Sequence, residues 1–319
     1  MKAFPWLLRR ELWESRSLYI VPLVFLSLLV GLYTFGLLSH GPGGMVHIDM
    51  DNGDGAVNLE QLIKEEPHAR QALKLAAGGL PFIVPAVLLN AVMLFVWFFY
   101  LTDSLYAERK DRSVLFWKSL PVDDTTTVLS KVATAVVVIP AITFIGIMIA
   151  AAGMTLANTV FAWTIDESAW QLIWSQMPFL SAPATLAYAL AVQSLWFAPV
   201  FGWLMLASAW ARRAPALWAL LPPAGIALLE GAVFRSSHFL ELIGHRLTSV
   251  VPTAFRDEDI EGVVDEIHDS SDKIEWAEAF GSLIDPGSFL SDPGMWGGLV
   301  VAAVFIAGAI WLRRYRSET

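Results

Sequence analysis

The apolar residues of this chain fall in long uninterrupted blocks, and that arrangement constrains the fold more than any motif does. A helix needs about 20 successive apolar residues to cross a bilayer. Six blocks meet that length, the last narrowly: Leu18 to Leu38, Leu80 to Leu101, Val132 to Leu156, Thr185 to Ala209, Ala216 to Phe234 and Trp296 to Leu312. No period-two alternation runs through them. Backbone groups in hydrocarbon must be satisfied within their own helix or in a closed barrel, so the expectation is an all-α membrane protein with six transmembrane helices in a single domain, 1–319. Composition agrees: 56% of 319 residues are apolar and 16% charged, more apolar material than one soluble core requires.

Basic residues near a span resist translocation, so their distribution orients the chain. Segments 1–17, 102–131, 210–215 and 313–319 hold 14 of the 21 Lys and Arg, and the alternate segments hold 7. Both termini therefore belong to the basic side, which is expected to be cytoplasmic. The alternate segments carry 21 of the 30 acids, which makes the net charge of −9 an external property. With no cysteine there is no disulfide and no thiolate metal site. The first block has no small-residue cleavage site and reads as a retained span rather than a signal peptide. A multi-pass protein of a bacterial inner membrane is expected, with lipid as its surroundings and no nucleic-acid partner.

Ahead of the first span, Ala3 to Ser17 mixes Phe4, Trp6, Leu7, Leu8, Leu12 and Trp13 with Arg9, Arg10, Glu11, Glu14 and Arg16. That mixture suits a helix in the headgroup plane, either a plain basic anchor or an elbow that moves with the first span. The external segment 39–79 contains Asp49-Met-Asp-Asn-Gly-Asp-Gly-Ala-Val-Asn-Leu-Glu60. Calcium loops space oxygen ligands at alternate positions around a glycine at the sixth. Counted from Asp49, Asp54 stands where that glycine belongs; counted from Met50, the first and last ligands are missing. The stretch reads first as a solvated acidic turn, and second as a calcium set of Asp49, Asp51, Asp54 and Glu60. The other large external segment, 235–295, is strongly acidic, and apolar spacing between Asp257 and Phe280 predicts one or two short amphipathic helices over the outer mouth, ended by Pro286 and Pro293.

Polar groups inside spans are costly and mark pathways or interhelical bonds. Asn90, Thr143, Gln193 and Glu230 are such residues, and Asn90, Gln193 and Glu230 are candidates for a translocation path. Glu230, near the outer edge, has the alternatives of reaching water or meeting Arg235. Pro199 is expected to kink the fourth span.

Between the second and third spans, Asp103 to Asp124 places charges at Glu108 to Arg112, then an apolar knob at Val114, Leu115, Phe116 and Trp117, closed by Pro121. A short helix so built inserts aromatic groups into a partner's groove while charges set register, or lies on lipid. The run ERKDRSVLFWKSLPVDD resembles the signature of ABC-2 type transporter permeases, the membrane subunits of ATP-binding-cassette exporters. An elbow helix, six spans with both ends inside, a coupling helix after the second span and a longer external segment between spans five and six all recur here. The resemblance implies that Glu108, Arg109, Asp111, Arg112, Phe116, Trp117, Lys118 and Pro121 contact an ATPase. No GxxxxGK[ST] phosphate loop occurs in the chain, so the ATPase would be another polypeptide; the resemblance implies two such subunits holding ATP and Mg, with no catalytic residue or cofactor expected in this chain. A second permease copy or a paralogue is implied as well.

Two other readings use the same residues. Glu65, Glu66 and Arg70, then Phe234 and His238, then His268 and Asp272 resemble in order the motifs of CAAX-type glutamate intramembrane proteases. Such chemistry needs carboxylate and imidazole groups converging in a shielded site, whereas the first and third motifs fall in acidic loops. A membrane scaffold or sensor that recruits a partner through residues 102–131 without transport is the third.

Overall fold

Hydrocarbon offers the backbone no partners, so each apolar block closes its own hydrogen bonds as a helix. Residues 3–39, 45–48, 55–58, 67–111, 123–255 and 276–315 are described by a computed structural model. Six helical stretches are long and apolar enough to cross a membrane, the character of a multi-pass membrane protein.

Helix α1 (Ala3–Glu14) turns into α2 (Ser17–Ser39), the first span. Strands β1 (Met45–Ile48) and β2 (Gly55–Asn58) pair antiparallel with Val46 opposite Val57, the one hairpin in a described structure that is otherwise helical. The acidic turn with Asp49, Asp51, Asp54 and Glu60 lies outside the described residues. The second span is α3 (Pro67–Asp103), 37 residues long, so it begins well inside the expected loop 39–79. At 1.5 Å per residue it is about 55 Å long, against about 30 Å of hydrocarbon. After the short α4 (Tyr106–Lys110), the third span runs as α5 (Asp124–Ala133), a π-helical turn (Thr134–Val138) and α6 (Ile139–Thr164). Within that turn the carbonyl of Ala135 accepts the indole N–H of Trp97 at 2.8 Å, which ties the irregular winding to the second span. Helices this long must tilt or project beyond the apolar layer.

The fourth span departs from the expected single helix. Past the short α7 (Ala169–Leu172), α8 (Ser181–Trp196) stops at Phe197 and α9 (Ala198–Trp210) starts anew. Pro199 accounts for this: it has no N–H for the carbonyl of Leu195 and its ring crowds that turn, yet both features are tolerated in the first turn of a new helix. The expected kink is thus a break. The fifth span is α10 (Pro215–Leu229) with a π-helical turn (Glu230–Phe234), after which Arg235 reverses the chain at a φ of 52°.

Beyond it come α11 (His238–Thr248), α12 (Val250–Ala254), α13 (Trp276–Ser282), α14 (Pro286–Ser291) and the sixth span, α15 (Pro293–Tyr315). Pro286 and Pro293 open helices rather than ending them. Asp285 caps α14 by accepting from the backbone N–H of Gly287 at 3.1 Å and of Ser288 at 3.2 Å, and the fixed φ of proline suits the first helical position. Residues 256–275, where most of the predicted amphipathic helix falls, lie outside the described residues.

The core runs through the middle of the bundle, with Leu89, Met93, Trp97, Ile139, Ile147, Trp196 and Met205 nearly inaccessible. Small residues allow the close contacts between spans. A Cβ on Gly202 of α9 would lie 3.0 Å from the carbonyl oxygen of Ala302 in α15. A smaller cluster of Phe82, Ala151, Ala182, Trp276 and Phe280 pins α13 to spans two to four, helped by Thr185 Oγ1 donating to the carbonyl of Phe280 at 2.6 Å.

Arg246 of α11 clamps the end of the bundle remote from the termini. Its guanidinium lies 3.9 Å from the ring centroid of Trp196, at the break in span four, and donates to the carbonyl of Gly294 at 3.0 Å. The Trp196 indole N–H in turn donates to the carbonyl of Arg246 at 3.0 Å. A side chain on Gly298 would overlap the Arg246 Nη2, whereas Gly297 has open space beside it. Gly298→Ala should therefore displace the guanidinium from the Trp196 ring and destabilise the protein by about 0.5–2 kcal/mol, the usual worth of a cation–π contact, with Gly297→Ala close to neutral. Thermal unfolding of the two variants in the same detergent checks this.

Candidate functional site

Charged residues are scarce in the membrane-spanning part, and those at the span ends nearest the termini converge. Glu108 of α4, directly ahead of the loop singled out in the sequence, is only 5% exposed. Its Oε1 accepts from Arg10 Nη2 of α1 at 2.7 Å and stands 3.2 Å from Lys131 Nζ of α5. Its Oε2 accepts from Arg313 Nη1 of α15 at 2.5 Å. Three cations from three separate segments thus meet one carboxylate. Around them, Glu11 accepts from Lys131 Nζ at 2.8 Å and from the Tyr100 hydroxyl at 2.9 Å, and Asp124 accepts from Arg313 Nε at 2.9 Å. Arg10 reaches Glu14 at 3.2 Å on the more exposed rim. Burial opposes charge on Arg10, but the carboxylates of Glu108, Glu11 and Glu14 outweigh it and hold the guanidinium above its ordinary pKa.

Each member arrives through its local sequence. Helix α1 turns Leu7 and Glu11 to the same inward face, four residues apart. Lys131 is the last polar residue before the third apolar block, and Arg313 the first after the sixth. Glu108 is brought in by the turn between α3 and α4, where the backbone N–H groups of Leu105 and Tyr106 donate to Ser208 Oγ at 3.0 and 3.1 Å. Next to it, Arg109 donates to the carbonyls of Ser208 at 2.5 Å and Ala211 at 2.9 Å, closing the C-terminal end of α9 where the helix dipole favours a cation. The corner after the second span is therefore bonded to α1 and to spans three, four and six.

Of the residues expected to meet an ATPase, Glu108 and Arg109 are engaged inside this corner, while Asp111 is exposed at its edge. Arg112, Phe116, Trp117, Lys118 and Pro121 lie outside the described residues. The three residues considered for a path have separate environments. Asn90 is half-buried, and its Oδ1 has no hydrogen-bond partner among the described residues. Gln193 is 3% exposed, one turn before the break in span four. Glu230 turns to the chain beyond Arg235 and stays partly exposed: its carboxylate accepts from Ser236 Oγ at 2.7 Å, from the backbone N–H of His238 at 3.1 Å and of Phe239 at 2.8 Å, which caps α11. Thr143 bonds back to the carbonyl of Ile139 at 2.9 Å.

Of the protease-like motif residues, Phe234 is exposed and His238 Nδ1 stands 3.6 Å from Glu230. Glu65, Glu66, His268 and Asp272 lie outside the described residues, as does the side chain of Arg70. Among the described residues, no three His, Asp or Glu side chains are grouped to hold a metal ion.

Sequence reasoning singled out Glu108 but not Glu11, Tyr100, Lys131, Asp124 or Arg313. The available signal was opposite charges at the very edges of apolar blocks, where a lone charge would be poorly solvated. Comparisons with known protein families, with curated proteins and with solved structures give no match.

Removing one partner of a buried ion pair leaves charge without compensation, typically costing about 3–5 kcal/mol, whereas rim pairs contribute about 0–1 kcal/mol. Glu108→Gln should therefore be strongly destabilising and Glu14→Gln nearly silent. Adding Arg313→Gln to Glu108→Gln should cost less than Arg313→Gln does in the parent, because the contact with Glu108 is already gone and only the bond to Asp124 remains to be lost. Unfolding in mixed micelles of the single and double variants measures the coupling.

Proposed function

We propose that this chain is the membrane-spanning permease subunit of an ATP-binding-cassette exporter, driven by a separate ATPase that docks on residues 102–131. The observation that carries this reading is the cluster around Glu108. A loop that receives a push from a partner needs a rigid connection to the spans, and the corner before this loop is bonded to α1 and to spans three, four and six. Charge-assisted hydrogen bonds held out of water make such a connection short and directional.

In this reading the end carrying the cluster and both termini faces the cytoplasm, and α1 is the elbow helix. ATP and Mg belong to two partner ATPases, whose closure displaces the loop and switches the spans between inward and outward access. A second copy or a paralogue faces the chain across the path. The first and fifth spans, which bury few of their own side chains, supply apolar faces for that contact or for lipid. The break at Phe197 divides span four where such a movement bends most easily. Its membrane is the inner membrane of a bacterium.

Purification from native membranes tests the proposal. The intact chain should bring down an ATP-hydrolysing partner, and the double variant Arg112→Ala, Trp117→Ala should lose it while keeping its own melting temperature. Retention of the ATPase by that variant would sink the docking assignment. A partner lost in the same way but unable to hydrolyse ATP would favour the scaffold reading, and proteolysis by the isolated chain that depends on Glu65 and His238 would favour the protease.

A further inference from the structure

Helix α1 has two faces of opposite character. One carries Leu7 and Glu11 into the buried charge cluster. The other presents Trp6, Arg9 and Trp13 as an exposed stripe at spacings of three and four residues, and Arg16, exposed in the turn that follows the helix, continues the alternation of aromatic and guanidinium groups. The Arg9 guanidinium lies 4.7 Å from the ring centroid of Trp13 and 5.7 Å from that of Trp6. Stacking occupies the faces of a guanidinium and leaves its in-plane N–H groups free, which is the fork that matches phosphate oxygens. Among the described residues neither Arg9 nor Arg16 forms an ion pair, in contrast to Arg10 beside them.

We infer that this stripe is a binding site for the phosphate of anionic phospholipid headgroups in the bilayer that surrounds the spans. Position commits the occupant. Helix α1 ends at Glu14 and the first span begins at Ser17, so Trp13 and Arg16 lie within about one helical turn, and Arg9 within a little over two, of the point where the chain enters the apolar layer. Tryptophan indoles partition to that depth, and cations there gain from negative lipid charge. The site also stands next to the cluster: Arg9 takes the lipid, while Arg10, the following residue, holds Glu108. This site is independent of the transport reading and would exist on a scaffold or an enzyme equally well.

The absence of cysteine makes a single reporter possible. Full-length protein bearing Pro5→Cys, labelled with bimane and reconstituted in phosphatidylcholine vesicles, is titrated with phosphatidylglycerol or phosphatidylcholine spin-labelled near the headgroup. At equal mole fraction the phosphatidylglycerol probe should quench several-fold more. That preference should fall to parity in Arg9→Gln, Arg16→Gln, whose exposed and unpaired side chains leave the fold intact, and should persist in Arg235→Gln at the other end of the bundle. Raising salt should weaken it, since the interaction is electrostatic and near water. Equal quenching by both lipids in the parent, or a preference that survives the double variant, would overturn the inference. So would relief of quenching by millimolar glycerol phosphate, which would mark a site for soluble phosphate instead.

Discussion

A carboxylate withdrawn from water is tolerated only when cations replace the hydration it loses, and at Glu108 this requirement organises one whole end of the bundle. Arg10, Lys131 and Arg313 come from segments far apart in the chain, and each is itself too desolvated to stand alone. Neither sign can leave without exposing the other to the same cost. Elements that hydrocarbon would allow to slide past one another are held at that end in one register. Such clusters add little net stability compared with apolar packing. What this one supplies is a unique arrangement of α1, the corner after the second span and the end of the sixth.

The opposite end is held differently. Among the described residues its polar contacts are separate from one another: Glu230 caps α11 at its start, and Arg246 clamps it near its finish between Trp196 and the opening turns of the sixth span. Trp276 and Phe280 add an apolar anchor. Isolated contacts of this kind separate one at a time, whereas the charge cluster is cooperative.

Much of this was legible without coordinates. Span positions followed from block length, and the corner containing Glu108 and Arg109 stood out because its charges precede an apolar knob. Other features were beyond reach for identifiable reasons. Pro199 announced a disturbance, but whether a helix bends or restarts depends on what packs around the freed carbonyl. Pro286 and Pro293 looked like terminators because a proline disfavours helix before it; that each is preceded by an aspartate able to cap made them initiators. That Glu230 caps α11 was beyond reach because its capping partners, Ser236 to Phe239, lie across a chain reversal that no helical periodicity reveals.

What this sequence determined by itself was everything governed by solvent transfer: which stretches enter hydrocarbon, that they do so as helices, and which segments carry the charge. These are local properties, summed over about 20 neighbours at a time. Only the tertiary structure decided which charges meet. Lys131 and Arg313 are ordinary basic flanks of their spans when read in order, and Glu11 an ordinary polar position in α1. They become one site because ion pairing in a low dielectric is fixed by distance in space, and the distances among these residues are set by packing between helices that share no sequence neighbourhood.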